Sequence, residues 1–363
     1  MTNQRLLRVS RSYAVLVALV GALVAVSAGA APTRATTSVV KPRTVYIEHG
    51  KIHKFAQDGD RITWIGGRHY TVHLRSVTGR RTLAGRSSWV LGNAGPGAAV
   101  GAQSASTLAL AGTRAVWVKY AGVMTREAAI YTSKPGQKKP AIIDTPSVAD
   151  YGGTYLTGLV ASGTTILYGD AIVKYDTTGA CSLTGGGVHR YLGKSYPPRI
   201  AGIPAAFKIA TGGRLVAVVP AKVTDAQRCT WRAAPNGPVD VYDLSGRRVG
   251  RVFPQGTVRE VALDWPDLAV IVTRSDGSTV LERYYPDTGK LLGATTMPGA
   301  TDLSIARGRV VFRVGNTIYL WWTVPKNPVV LYRSIGKPTG LSIEGKRVAW
   351  AANGRVRAVT FPH

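Results

Sequence analysis

Between Gln255 and Phe361 one short pattern of apolar and polar positions comes round three times. Each copy opens on an alternating segment, turns at Gly or Pro, and runs on into a β-branched segment. The first is Arg259 to Asp264, Trp265-Pro266 and Asp267 to Thr273; the second is Asp302 to Ala306, Arg307-Gly308 and Arg309 to Val314; the third is Gly340 to Glu344, Gly345 and Lys346 to Ala351. Alternation with period two marks a strand with one buried face, and recurrence at a steady spacing marks a repeat. Followed backward, the β-branched segment recurs at Arg61 to Ile65, Arg114 to Val118, Thr164 to Tyr168 and Arg214 to Val218. Nearly every copy follows a tight turn such as Asp58-Gly59-Asp60 or Ser162-Gly163, where Gly supplies the backbone angles of a hairpin. Later turns, Asp243 to Gly246 and Pro286 to Gly289, introduce further strands at Arg247 to Phe253 and Lys290 to Met297.

Four antiparallel strands per unit predict the blade of a β-propeller, an all-β fold. Seven four-stranded blades fit the pattern; six or eight stay open as alternatives, because the third and fourth units are irregular. The last unit offers only three strands, Leu341 to Ile343, Arg347 to Ala351 and Arg355 to Phe361. Arg43 to Glu48 precedes the first unit and has none of its own. It is predicted to supply the missing fourth strand, which removes an open sheet edge.

The N-terminus changes how the charge is read. Arg5, Arg8 and Arg11 precede an apolar run from Ala14 to Val26, and Ala28-Gly29-Ala30 follows with the small residues of a signal-peptidase site. This predicts a signal peptide over residues 1–30, a tether over 31–41 and one propeller domain over 42–363. The apolar run is short for a membrane span, so a membrane enters only if the leader stays uncleaved. The chain is expected outside the bacterial cytoplasm, secreted or held at the cell envelope, as a monomer. Lys and Arg number 46 against 19 Asp and Glu, a formal charge of +27. In a cytoplasmic protein that excess would point to nucleic acid. An exported protein meets acidic envelope polymers instead, and its basic pairs, Arg80-Arg81, Lys138-Lys139 and Arg247-Arg248, are scattered rather than gathered in a tail. The expected partner is a protein or an anionic envelope polymer, and no nucleic acid.

Function is sought where the repeat is interrupted. Cys181 and Cys229 fall at matching places in enlarged connections of the third and fourth units, which predicts a structural disulfide between neighbouring blades. Two further long connections, Arg86 to Ala105 and Asp144 to Thr154, are expected on the same face. Together these loops make Trp89, Tyr151, Arg228, Trp231 and Arg232 the candidate binding residues; the alternative is that the aromatics only pack the loops down. No Gly-x-Ser-x-Gly, His-Glu-x-x-His or EF-hand pattern occurs, so no catalytic residue, metal or cofactor is expected. His49, His53, His69 and His73 form pairs without a third ligand. Asp150, Asp170 and Asp225 lie in the enlarged loops, but their spacing does not single out the carboxylate pair of a glycosidase. The function predicted is a non-catalytic binding scaffold, with a polysaccharide lyase or hydrolase at the channel mouth as the alternative.

The runs Gly59-Asp60-Arg61-Ile62-Thr63-Trp64-Ile65, Gly112-Thr113-Arg114-Ala115-Val116-Trp117-Val118 and Gly345-Lys346-Arg347-Val348-Ala349-Trp350 resemble the repeat of exported bacterial propellers. The chain is similar in this to the TolB-type and WD-repeat-like propeller superfamily. It lacks the Gly-His and Trp-Asp signatures of true WD repeats. The resemblance implies a rigid disc that binds partners, and it carries over no functional residue.

Overall fold

Each repeat unit is a sheet. The computed structural model describes residues 41–77, 88–94, 107–121, 127–146, 148–149, 152–322 and 327–361. The predicted leader, nearly all of the tether, and Asp150 and Tyr151 lie outside these residues. Among the described residues every regular element is a strand. The first, β1 (Arg43–Ile47), belongs to the last blade. Blade 1 is β2 (Ile52–Asp58), β3 (Arg61–Gly66), β4 (Thr71–Ser76) and β5 (Ser88–Asn93); blade 2 is β6 (Leu108–Ala111), β7 (Arg114–Ala121), β8 (Glu127–Ser133) and β9 (Ala141–Asp144). Blade 3 is β10 (Val148–Ala149), β11 (Gly152–Ser162), β12 (Thr165–Tyr175) and β13 (Cys181–Arg190). Blade 4 is β14 (Ala206–Gly212), β15 (Leu215–Asp225), β17 (Val239–Asp243) and β18 (Arg248–Val252), with an extra β16 (Thr230–Ala233) on β15. Blade 5 is β19 (Thr257–Asp264), β20 (Asp267–Thr273), β21 (Thr279–Tyr285) and β22 (Lys290–Thr296); blade 6 is β23 (Ala300–Ala306), β24 (Arg309–Val314), β25 (Thr317–Trp321) and β26 (Val329–Arg333). Blade 7 is β27 (Thr339–Glu344), β28 (Arg347–Ala352) and β29 (Arg355–Thr360), completed by β1.

The fold is therefore a seven-bladed propeller. Its innermost strands, β2, β6, β11, β14, β19, β23 and β27, are neighbours in that order and close on themselves. β1 pairs antiparallel with β29, so the N-terminal strand seals the ring as predicted.

The second strand of each blade is buried on both faces, and one position on it recurs. Trp64, Trp117, Tyr168, Phe312 and Trp350 all occupy it and are almost wholly buried. In four blades an aromatic ring on the third strand lies directly opposite and stacks: His73 on Trp64, Tyr131 on Trp117, His189 on Tyr168 and Tyr319 on Phe312, with centroids 5.0, 6.0, 4.6 and 5.3 Å apart. Cross-strand pairs of this kind are a unit of sheet stabilisation.

The outer strand of the preceding blade then serves the same ring. Glu48, just after β1, accepts a hydrogen bond from Trp64 Nε1 at 2.7 Å. Asp144 of β9 accepts one from the Tyr168 hydroxyl. Gly92 of β5 makes room for Trp117, since a Cβ there would meet the indole at 2.6 Å, and Tyr332 of β26 lies 5.0 Å from Trp350.

One expectation needs correction. Arg86 to Ala105 is not one long connection, because Ser88–Asn93 forms the outer strand of blade 1. Its alternation is real: Leu91 is buried while Val90 faces out. Blade 3, in turn, has no full outer strand. β10 is added at its inner edge, and at its outer edge only a bridge from His189 to Arg199 remains.

Candidate functional site

A central cavity of about 390 Å3 is lined by the second halves of the seven innermost strands and opens where each turns into its neighbour. The residues ending those strands are Asp58, Ala111, Ser162, Gly212, Asp264, Ala306 and Glu344. Small residues on blades 2, 3 and 4 thus face carboxylates contributed by blades 1, 5 and 7. Asp58 Oδ2 accepts the backbone N–H of Gly112 at 2.5 Å and of Gly163 at 2.9 Å, tying blade 1 to the turns of blades 2 and 3. Asp264 accepts the N–H of Arg307 in the next blade. Glu344 is the carboxylate that differs: crowding at the mouth and the charge of Asp58 and Asp264 raise its pKa, against the opposing pull of Arg347 and Arg307.

Nearer the other end of the same strands, β-bulges set Lys54, Lys208 and Glu260 at equivalent places. Glu260 accepts the amides of Asp302 at 3.2 Å and Leu303 at 2.8 Å, where Asp302 has a φ of 57°. Burial raises the Glu260 pKa and lowers those of Lys54 and Lys208. Glu260 thus braces blade 5 against blade 6, and Lys208 of blade 4 is attracted to it. Among the described residues no three His, Cys, Asp or Glu side chains gather as a metal-binding group.

The opposite face carries the enlarged connections. Cys181, opening β13, is bonded to Cys229, just before β16, with Cα atoms 5.4 Å apart, so the predicted disulfide joins blades 3 and 4. Trp231 does not stand on the rim. It is 7% exposed and packs edge-on to Tyr155 at 4.8 Å, in a small core with both cysteines and Val173. The reason lies in the strand period. In the β15–β16 ladder Ala221 pairs with Ala233, Lys222 with Arg232 and Val223 with Trp231. On one face Ala221, Val223 and Trp231 cover the disulfide while Ala233 joins the core of blades 4 and 5; the other, Lys222, Thr224, Thr230 and Arg232, points away from it. Arg232 and Lys222 are exposed and directly opposite each other. Arg228 is exposed and pairs with Asp225 at 3.8 Å. Trp89 sits apart from these, half-buried on the outer strand of blade 1. Tyr151 lies outside the described residues.

His189 escapes sequence reasoning because its partners come from another strand and a following loop. Asp170, buried in β12, accepts Gly187 N–H at 2.7 Å and faces His189 Nε2 at 3.1 Å, while His189 Nδ1 faces the Pro197 carbonyl at 2.9 Å. Burial pulls the His189 pKa down, but Asp170 and the Pro197 carbonyl outweigh it and leave the pKa raised. Both ring nitrogens face acceptors, so in its protonated form this ring has no lone pair for catalysis. His73 lies 3.6 Å from Glu48, yet burial exceeds the attraction of that carboxylate and its pKa is lowered. A signal was present: both histidines occupy the position held by Tyr131 and Tyr319 elsewhere in the repeat.

No protein-family model matches the chain, and no curated protein sequence matches it. Solved structures match it in fold. An acylaminoacyl peptidase from Pyrococcus horikoshii is 11% identical over 85% of this chain and 49% of its own, with a TM-score of 0.50. The β-propeller domain of the trilobed protease from Pyrococcus furiosus is 10% identical over 86% of this chain and 94% of its own, with a TM-score of 0.49. BamB from Moraxella catarrhalis is 16% identical over 88% of this chain and 85% of its own, with a TM-score of 0.45. At these identities the likeness is one of fold.

Proposed function

We propose that the protein is an exported, non-catalytic scaffold that holds an anionic envelope polymer against the outward face of the β15–β16 hairpin. The observation that carries this is Lys222 opposite Arg232. Like charges facing each other across a strand pair destabilise it by a few tenths of a kcal/mol up to about 1 kcal/mol. An anion laid across them turns that cost into attraction. Neither residue has an ion pair among the described residues, whereas Arg228 and Arg247 nearby in sequence do. The net charge of +27 adds a long-range field of the right sign. The Cys181–Cys229 disulfide supports an oxidising compartment.

The test is elution of the purified protein from immobilised heparin and poly-γ-glutamate on a salt gradient. The Lys222→Gln, Arg232→Gln double variant elutes at lower salt than the parent. A Lys134→Gln, Lys138→Gln variant, altered at exposed lysines on the far face, elutes with it. Equal elution of all three would sink the proposal.

A second reading, hydrolysis or lysis of a glycan at the channel mouth, draws on Glu344. Its pKa is raised and it ends an innermost strand at the cavity, and an upward shift is the direction a general acid needs. Against it, Asp58 and Asp264 already accept backbone hydrogen bonds. Release of reducing ends that disappears in Glu344→Gln would establish it.

A further inference from the structure

We infer that the face on which the cavity opens carries a second binding surface, an aromatic platform for a polysaccharide chain on blades 5 and 6. Trp265 is 39% exposed, Tyr285 38% and Trp322 53%, while the aromatic rings of the repeat itself are buried. Trp265 is in the turn after β19, Tyr285 ends β21 and Trp322 follows β25, so all three lie at the same end of their blades.

One buried guanidinium links the elements that bear them. Arg283 donates from Nε and Nη2 to Asp267 Oδ1 at 3.0 and 2.7 Å and from Nη1 to the Trp322 carbonyl at 3.4 Å. It also lies against the blade 6 turn, where a Cβ on Gly308 would be 3.0 Å from Nη2. Trp265 is two residues before Asp267 and Tyr285 two after Arg283. Such an ion pair fixes the backbone beneath exposed rings, a cheap way to hold flat surfaces ready for a ligand.

The neighbours of the rings identify the ligand class. Lys290 pairs with Tyr285 across the strands, Asp264 and Arg307 stand at the cavity mouth beside Trp265, and Leu291 is the one large aliphatic side chain exposed on the adjoining outer strand. Rings set among hydrogen-bonding groups suit a molecule with C–H faces and hydroxyl edges, which is a chain of pyranose units. An aliphatic surface, the need of a lipid or of a buried protein interface, is not what surrounds them. This platform and the β15–β16 hairpin are on opposite faces of the disc, and neither depends on the other.

The experiment is affinity electrophoresis of the purified protein through gels containing, in turn, chitosan, hydroxyethyl cellulose, xylan, a β-1,3-glucan and polygalacturonate. At least one retards it, with a change in tryptophan fluorescence. Tyr285→Ala and Trp322→Ala each weaken the retardation at least tenfold, and Trp322→Phe retains it. The substituted rings are exposed, and thermal melting confirms that each variant folds. Three results overturn the inference: no retardation by any of the five, retardation indifferent to both alanine variants, or ring-dependent binding confined to vesicles of phosphatidylglycerol and phosphatidylcholine.

Discussion

His73 and His189 hold the same place in their blades, opposite the buried aromatic of the second strand, yet their environments shift their pKa values in opposite directions. The His189 pKa is raised by Asp170 and Pro197 O, so the stability it contributes is full below its unfolded value near 6.5 and is lost as pH rises through the folded value. The His73 pKa is lowered by burial, so its contribution is full above about 6.5 and is lost as pH falls through the folded value. Urea denaturation at pH 5.5 and 8.5 separates them. His189→Gln destabilises by about 1–3 kcal/mol at the acid pH and by less at the alkaline one, and His73→Gln shows the reverse order. Equal penalties at both pH values would contradict these shifts. The second-strand aromatics were legible as a motif in the sequence, because Arg-x-x-Trp repeats openly. Their partners were not: Glu48, Gly92 and Asp144 each come from the preceding blade, and nothing local in the sequence links them to the rings they serve.

At the scale of elements, hairpins were the readable part, since a tight Gly turn and its two strands lie together in the chain. β1 was also readable, by the absence of a fourth strand in the last unit. β5 was hidden because its alternation sits among Gly- and Ala-rich flanks, and the shortened edge of blade 3 has no sequence mark at all. Deleting residues 1–48 removes β1 and Glu48, bares the edge of β29 and leaves Trp64 Nε1 without its acceptor; the expected outcome is concentration-dependent aggregation in light scattering. The disulfide spans 48 residues, and closing a loop of that length stabilises by about 4 kcal/mol in the chain-entropy account. Trp231→Ala, which empties the small core over the disulfide, costs about 3–5 kcal/mol. Both losses read out as a lowered denaturation midpoint. A Trp231→Ala protein as stable as the parent would show that the ring is not packed. The sequence places Trp231 on the rim with the enlarged cysteine loop; the strand period, once β16 is seen to pair with β15, turns it inward and leaves Arg232 outside.

For the whole molecule, the propeller uses several of its carboxylates as fasteners. Asp58 and Asp264 bind the turns of following blades, Glu260 holds a bulge, Asp170 holds His189, and Asp240 takes Arg251 at 2.5 Å. The surfaces proposed for recognition are on the two faces: a like-charged pair on one, exposed rings of blades 5 and 6 on the other. The charge excess was plain in the sequence, whereas its useful part was not, because the cross-strand register that opposes Lys222 to Arg232 exists only once the hairpin forms. The most direct test of the scaffold's claimed surface is hydrogen–deuterium exchange with and without poly-γ-glutamate at moderate salt. The account predicts protection concentrated in residues 221–233, absent in the Lys222→Gln, Arg232→Gln variant. Protection spread evenly over both faces, or confined to the cavity mouth around Glu344, would contradict it.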